Sequence, residues 1–198
     1  METRAAALAE VSRHCDVNER LTLLPPSARI RGLYFRSIET VLGRAELLER
    51  YRSLFPERFS AVRFYPIHEF LPRLVVAGAL LKEPARVHEG MFEIGRDNAV
   101  AFSESLLGRT LLRLLSRDPK KLLAQGLAAH RQSITAGGRW RLTFPEERRA
   151  VMTMEEEYLY IESYLLGAAQ GTFDAIGMAV RTEVVLEDRF TGRHILQW

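Results

Sequence analysis

The sequence predicts an α+β domain, with a helical subdomain of about five helices followed by a ββαββ antiparallel sheet. Three observations carry this expectation. From Ser37 to Gly138 apolar residues recur three and four apart, the spacing that lines one face of a helix. At Arg139 the period drops to two. In "RWRLTF", Trp140, Leu142 and Phe144 alternate with Arg139, Arg141 and Thr143, as a half-buried strand requires. The alternation then returns at Met178–Glu187 after one more helical stretch. A run of helices that gives way to antiparallel strands is the α+β pattern.

Residues 1–27 read as an N-terminal annex and linker. A short helix over Met1–His14 is followed by Leu24-Pro25-Pro26, where consecutive prolines enforce extended backbone. Residues 28–198 read as one domain, mainly helical over 28–138 and ββαββ over 139–198. Ala28–Tyr34 alternates weakly and reads as a short edge strand. Ser37 is placed as the N-cap of a helical run carrying Ile38, Val41, Leu42, Ala45, Leu48 and Phe55, which Gly43 divides in two. Pro66 suits the first turn of the next helix, with Ile67, Phe70, Leu71, Leu74, Gly78 and Leu81 as its stripe. Pro84 opens a third helix with Val87, Met91 and Ile94 on one face, and a fourth carries Leu107, Leu111 and Leu114. Asp118-Pro119 pairs a capping carboxylate with a proline at the first helical position. That fifth helix bears Leu123, Leu127, His130 and Ile134 and stops at Gly137-Gly138. Two hairpins then flank a helix over Tyr158–Gln170. In the second hairpin Val180, Val184 and Leu186 point inward.

Composition narrows the functional classes. The chain has 198 residues, enough for a sizeable core, and its 47% apolar content is that of a globular protein. No apolar run approaches the ~18 residues of a membrane span. The start "METRAAALAE" lacks the apolar stretch of a signal peptide. One cysteine, Cys15, excludes an internal disulfide and a cysteine-rich zinc site. These features imply a cytoplasmic protein. The net charge of +3 is spread among balancing acids, unlike the concentrated excess of a nucleic-acid module, so no nucleic acid is expected.

Four stretches carry a resemblance: "RGLYFRSIETVLG", "FEIGRDNAVAF", "SLLGRTLLRLLSRDPKKLL" and the closing "TFDAIGMAVRTEVVLEDRFTGRHILQW". From about Arg31 onward they resemble an uncharacterised family of paralogous myxobacterial proteins. That family has no assigned activity and implies no catalytic residues. More distantly, the order of elements is similar to the superfamily of haem-NO-binding sensor domains, vinyl-reductase-like (V4R) domains and transport-particle subunits. Gly167, Gly171, Gly177, Glu183, Glu187 and Gly192 echo the V4R tail, without the cysteines those domains often carry. This resemblance implies ligand binding, sensing or a protein-interaction role.

The candidate chemistries are few. His130, between Leu127 and Ile134, and His88, at the edge of the third helix's stripe, have the placement of an axial haem ligand. Both also suit ordinary core or boundary histidines. The Tyr-x-Ser-x-Arg signature that clamps haem propionates in the sensor domains is absent. Haem is therefore disfavoured and no cofactor is expected. No two of His14, His68, His88, His130 and His194 stand three or four apart, so no metal site is expected. Nucleophile elbows and phosphate loops are missing, which points to a non-enzymatic protein. Glu155-Glu156-Glu157 suits a solvated helix start. Gly95 lets another element approach its helix, and Glu93 stands at ion-pair spacing from Arg96.

These readings combine into a sensory or regulatory module with an apolar small-molecule pocket between helices and sheet, lined by His88, Phe92, Gly95 and His130. Arg109, Arg113 and Arg117 form a cationic edge for an anion or an acidic protein partner. The alternative is a homodimeric interaction or scaffold module without a ligand.

Overall fold

The computed structural model describes residues 3–104 and 118–198, the stretch 100–104 by its backbone alone. The chain forms two compact units. The first is Met1–Ile94 with Ile134–Ala136, and the second is Gly95–Ser133 with Gly137–Trp198.

The first unit is built around α5 (Ile67–Leu81), in which every residue from Phe70 to Gly78 is buried. Such a helix must be covered on all sides. It is packed by α1 (Arg4–Val11), α2 (Val17–Leu23) and α3 (Leu33–Arg44). A short helix, α4 (Leu48–Leu54), follows α3 after a break at Ala45–Leu47, where Glu46 adopts a positive φ of 60°. The long helix α6 begins at Val87 behind a 3-10 turn opened by Pro84 and runs to Glu104. As its stripe predicts, Val87, Met91 and Ile94 are fully buried. At Gly78 and Gly90 the backbones of α5 and α6 touch, and a Cβ on Gly90 would collide with the Gly78 carbonyl. Arg73, buried within α5, is matched by Glu69 at 2.8 Å and Glu57 at 2.7 Å, and lies 4.9 Å from the Phe55 and Phe59 rings. Burial of a guanidinium demands such partners.

This unit also holds a three-stranded antiparallel sheet, in the order β2 (Phe64–Pro66), β1 (Arg29–Arg31), β3 (Ile134–Thr135). The sequence reading differs in three places. The strand near Ala28–Tyr34 is the central strand rather than an edge, because Ile30, with no exposure, pairs with Tyr65 on one side and Ile134 on the other. Helix α3 therefore starts at Leu33. Ser37 is buried one turn inside it, its hydroxyl donating to the Tyr34 carbonyl at 2.7 Å, and it caps nothing. Ile134 leaves the helical stripe for β3, where its β-branched side chain suits a strand.

In the second unit, α7 (Pro119–Ser133) starts where Asp118 accepts from the backbone N–H of Lys120 and Lys121 at 3.0 and 3.3 Å. Those bonds hold its carboxyl below the usual range. The sheet runs β4 (Arg139–Glu146), β5 (Arg149–Glu155), β7 (Gly192–Gln197), β6 (Arg181–Leu186), all antiparallel. Between the hairpins lie one π turn (Ile161–Leu165) and α8 (Leu166–Asp174). Leu123 of α7, Ala150 and Met152 of β5, Ala169 and Phe173 of α8, and Leu196 of β7 form the core on one face of the sheet. Two expectations change here. The helix predicted from Tyr158 begins at Ile161, because the buried Leu159 bends and the buried Tyr160 is extended. Leu186 is exposed, since it pairs with Gly192 at the end of the β6–β7 hairpin. Among the described residues no helix is long and apolar enough to cross a membrane.

Candidate functional site

Within the second unit, the part of α6 from Gly95 lies against the π turn and α8, backbone on backbone. A Cβ on Gly95 would collide with the Tyr164 carbonyl, and one on Gly171 with the Arg96 carbonyl. The close approach expected at Gly95 is therefore present. Its neighbour's expected ion pair is not. Glu93 pairs with Lys82 at 2.6 Å in the first unit, while Arg96 pairs with Asp174 at 2.5 Å in the second. Gln170 donates to the other Asp174 oxygen at 3.2 Å. This contact brings a polar pair together. Tyr164, 1% exposed, sits in the π turn, and its hydroxyl accepts a long hydrogen bond from the Asn98 amide at 3.4 Å. A π turn widens a helix by one residue and often marks a functional position.

The second cluster surrounds Glu157. Its carboxyl, expected in solvent, is 1% exposed. It accepts from Trp140 Nε1 at 2.6 Å and from the Leu159 backbone N–H at 2.8 Å, and His130 Nε2 stands 3.5 Å away. The His130 ring stacks on the Trp140 indole with centroids 3.7 Å apart. Gly138, in the left-handed region with φ 58°, presses against this group, and a Cβ there would collide with Glu157. The glycine pair does not end α7, which stops at Ser133 before β3, but Gly138 leaves room for a buried carboxyl. The sequence contains a signal for this burial. The third glutamate is followed by "YLYI", an apolar run that draws its predecessor inward. Asn98 and Tyr164 have no such signal, since their pairing joins residues 66 positions apart.

Among the remaining site expectations, His88 and Phe92 are half-buried on the first-unit part of α6. Arg109, Arg113 and Arg117 lie outside the described residues. His194, which the sequence reading left aside, is buried on β7. Its Nε2 is 2.8 Å from the Ile161 carbonyl, and its Nδ1 has no hydrogen-bond partner. Burial lowers its pKa to about 4, against a smaller raising effect of the Ile161 bond, so the ring is neutral near pH 7. Among the described residues no group of three or more His, Cys, Asp or Glu is arranged to hold a metal ion.

Residues 24–198 match a family described as a protein of unknown function, DUF2378. The chain belongs to the DUF2378 family. No curated protein matches it. Solved structures do. An Fe(II) unliganded H-NOX protein from K. algicida shares 14% identity with this DUF2378 chain at a TM-score of 0.65, over 85% of this chain and 96% of that one. An H-NOX protein from S. oneidensis in the Fe(II)NO ligation state shares 9% at 0.63, over 85% and 98%. An oxygen-binding H-NOX domain related to soluble guanylate cyclases, in its oxygen complex, shares 16% at 0.61, over 84% and 91%. At such identities the likeness establishes that this DUF2378 protein has an H-NOX-like fold of mixed helix and sheet. It also corrects the expectation of no cofactor. That expectation disfavoured haem on a missing sequence signature, whereas the proteins sharing the fold include ferrous H-NOX proteins and one studied for heme distortion.

Proposed function

We propose that this DUF2378 protein is a non-enzymatic sensory module that binds a small ligand through a haem cofactor. The observation that carries the reading is the pair of buried Tyr164 and half-buried Asn98 in an H-NOX-like fold. A hydroxyl withdrawn from water and oriented by an amide is a preorganised partner for a small polar ligand, and hydrogen bonds strengthen where water is excluded. The similar structures include an oxygen complex and an NO-ligated protein, which supports a diatomic gas as the class of ligand.

Haem iron would need a side-chain donor, and the five histidines can be tested against that need. His194 has its Nε2 at the Ile161 carbonyl, and His130 lies between the Trp140 ring and the Glu157 carboxyl. Neither fits as placed. His14 is exposed. His68 and His88 are half-buried in the first unit, and His88 is the histidine that would hold the iron in this reading. Bound haem would supply an iron that ligates a gas.

The test is reconstitution of the full chain with hemin, followed by absorbance spectroscopy. A Soret band that moves on reduction and again on addition of carbon monoxide or nitric oxide is expected. His88→Ala should lose that band while keeping the wild-type circular dichroism. Tyr164→Phe should keep it and alter the rate of gas release. A folded protein that takes up no haem overturns the reading.

A further inference from the structure

The first unit carries an exposed apolar turn that the proposed haem reading does not use. Residues 60–63 form a turn between α4 and β2 that is hydrogen-bonded to the start of α3. The Leu33 N–H donates to the Ala61 carbonyl at 3.1 Å, and the Gly32 N–H to the Arg63 carbonyl at 2.8 Å. The Ser60 N–H donates to the Tyr65 hydroxyl at 3.0 Å. Gly32 permits this approach, since a Cβ there would collide with the Ser60 carbonyl. The turn is thus fixed in place, and what it displays is apolar. Val62 at its tip is 73% exposed, and Leu33 and Phe64 beside it are 46% and 40% exposed.

Arginines ring these side chains. Arg31 pairs with Phe64 across the strands and holds its guanidinium 5.1 Å from the ring centre. Arg36, one turn beyond Leu33 on α3, and Arg63, next to Val62, are exposed, and among the described residues no carboxylate pairs with either. The nearby acids are committed elsewhere: Glu39 to Arg52 and Arg58, and Glu57 to Arg73 and Arg4.

From this geometry we infer that Leu33, Val62 and Phe64, with Arg31, Arg36 and Arg63, form a prong that docks on an anionic lipid surface. Apolar side chains that enter the headgroup boundary, surrounded by cations that meet lipid phosphates, are what interfacial binding requires. Arginines set around exposed apolar side chains favour a charged bilayer. A protein that adds a strand at β2 is limited by that strand's three residues and its closing Pro66. This docking is independent of haem.

The test is co-sedimentation of the full-length protein, without added hemin, with vesicles of phosphatidylglycerol and phosphatidylcholine. Binding should appear with the anionic lipid, fall as salt is raised, and be absent on pure phosphatidylcholine. Val62→Asp with Phe64→Asp should abolish it. Arg36→Glu with Arg63→Glu should weaken it by at least tenfold, given roughly fivefold per basic residue near a charged bilayer. Both double variants are checked for wild-type circular dichroism, and the single Val62→Ser replacement at the exposed tip is the milder control. No binding to anionic vesicles, equal binding to both lipids, or binding that survives the substitutions overturns the inference. Salt-sensitive binding to polyglutamate without binding to vesicles reassigns the surface to an acidic protein.

Discussion

His194 gives the molecule a pH dependence that can be calculated in sign. Burial holds its ring at about 4 in the folded protein, against about 6.5 in an unfolded chain. Between these values the unfolded state binds the proton and the folded state does not, so stability rises with pH. The contribution is complete above about pH 6.5 and is lost as pH falls toward 4, by about 3 kcal/mol in all. Urea unfolding at pH 7 and pH 5 should show about 2 kcal/mol of this, in a window above most carboxylate titrations. His194→Phe should flatten the difference, and a wild-type midpoint that does not move between the two pH values refutes the assignment. Glu157 makes a second case at this scale. Glu157→Leu strands the Trp140 and Leu159 donors and should cost about 2 kcal/mol or more, whereas Glu157→Gln keeps an acceptor and should cost less. Equal losses in thermal melts would show that the carboxyl oxygens are not what matters. The burial of Glu157 is only hinted at by the apolar run that follows it, because a run of three glutamates is normally solvated. Its partner Trp140 is 17 residues away, and only the fold joins them.

Helices and strands with a strong local signal match the pattern of the chain, and those fixed by distant partners do not. Asp118-Pro119 marks the start of α7 because the cap is made within four residues. Ser37 has the chemistry of a cap but lies inside α3, because strand pairing at Ile30 moves the start of the helix earlier. Ile134 fits two periods, and its partner Ile30 decides between them. Glycines show the same division. Gly95 and Gly126 both lie in helices, yet Gly95 faces the backbone of the π turn while a Cβ on exposed Gly126 would meet nothing within 4 Å. Gly95→Ala should therefore cost about 2–3 kcal/mol by forcing packed backbones apart. Gly126→Ala should gain about 0.5–1 kcal/mol from helix propensity alone. Thermal melts of the two variants should move in opposite directions, and a shared direction would mean that the close contact at Gly95 carries no weight.

At the scale of the whole molecule, the change of period at Arg139 is enough to expect helices and then an antiparallel sheet, and the H-NOX-like fold agrees with that coarse order. The proposed ligand is less legible in the sequence, because the polar pair that supports it joins α6 to the π turn through residues with no common motif. A missing Tyr-x-Ser-x-Arg run argued against haem, yet a motif records one solution to a binding problem while a fold preserves the space in which others arise. Binding itself predicts a property of the molecule as a whole. A ligand that binds the folded state and not the unfolded one stabilises it by mass action, by about 2.7 kcal/mol when its free concentration is 100 times Kd. Both tryptophans, Trp140 and Trp198, belong to the second unit, so the urea midpoint followed by their fluorescence reports on the unit that holds Tyr164 and Asn98. Hemin should raise that midpoint in proportion to the logarithm of its concentration once the site is saturated. Hemin that quenches fluorescence but leaves the midpoint in place is adsorbed without specificity, and the sensory assignment would then fail.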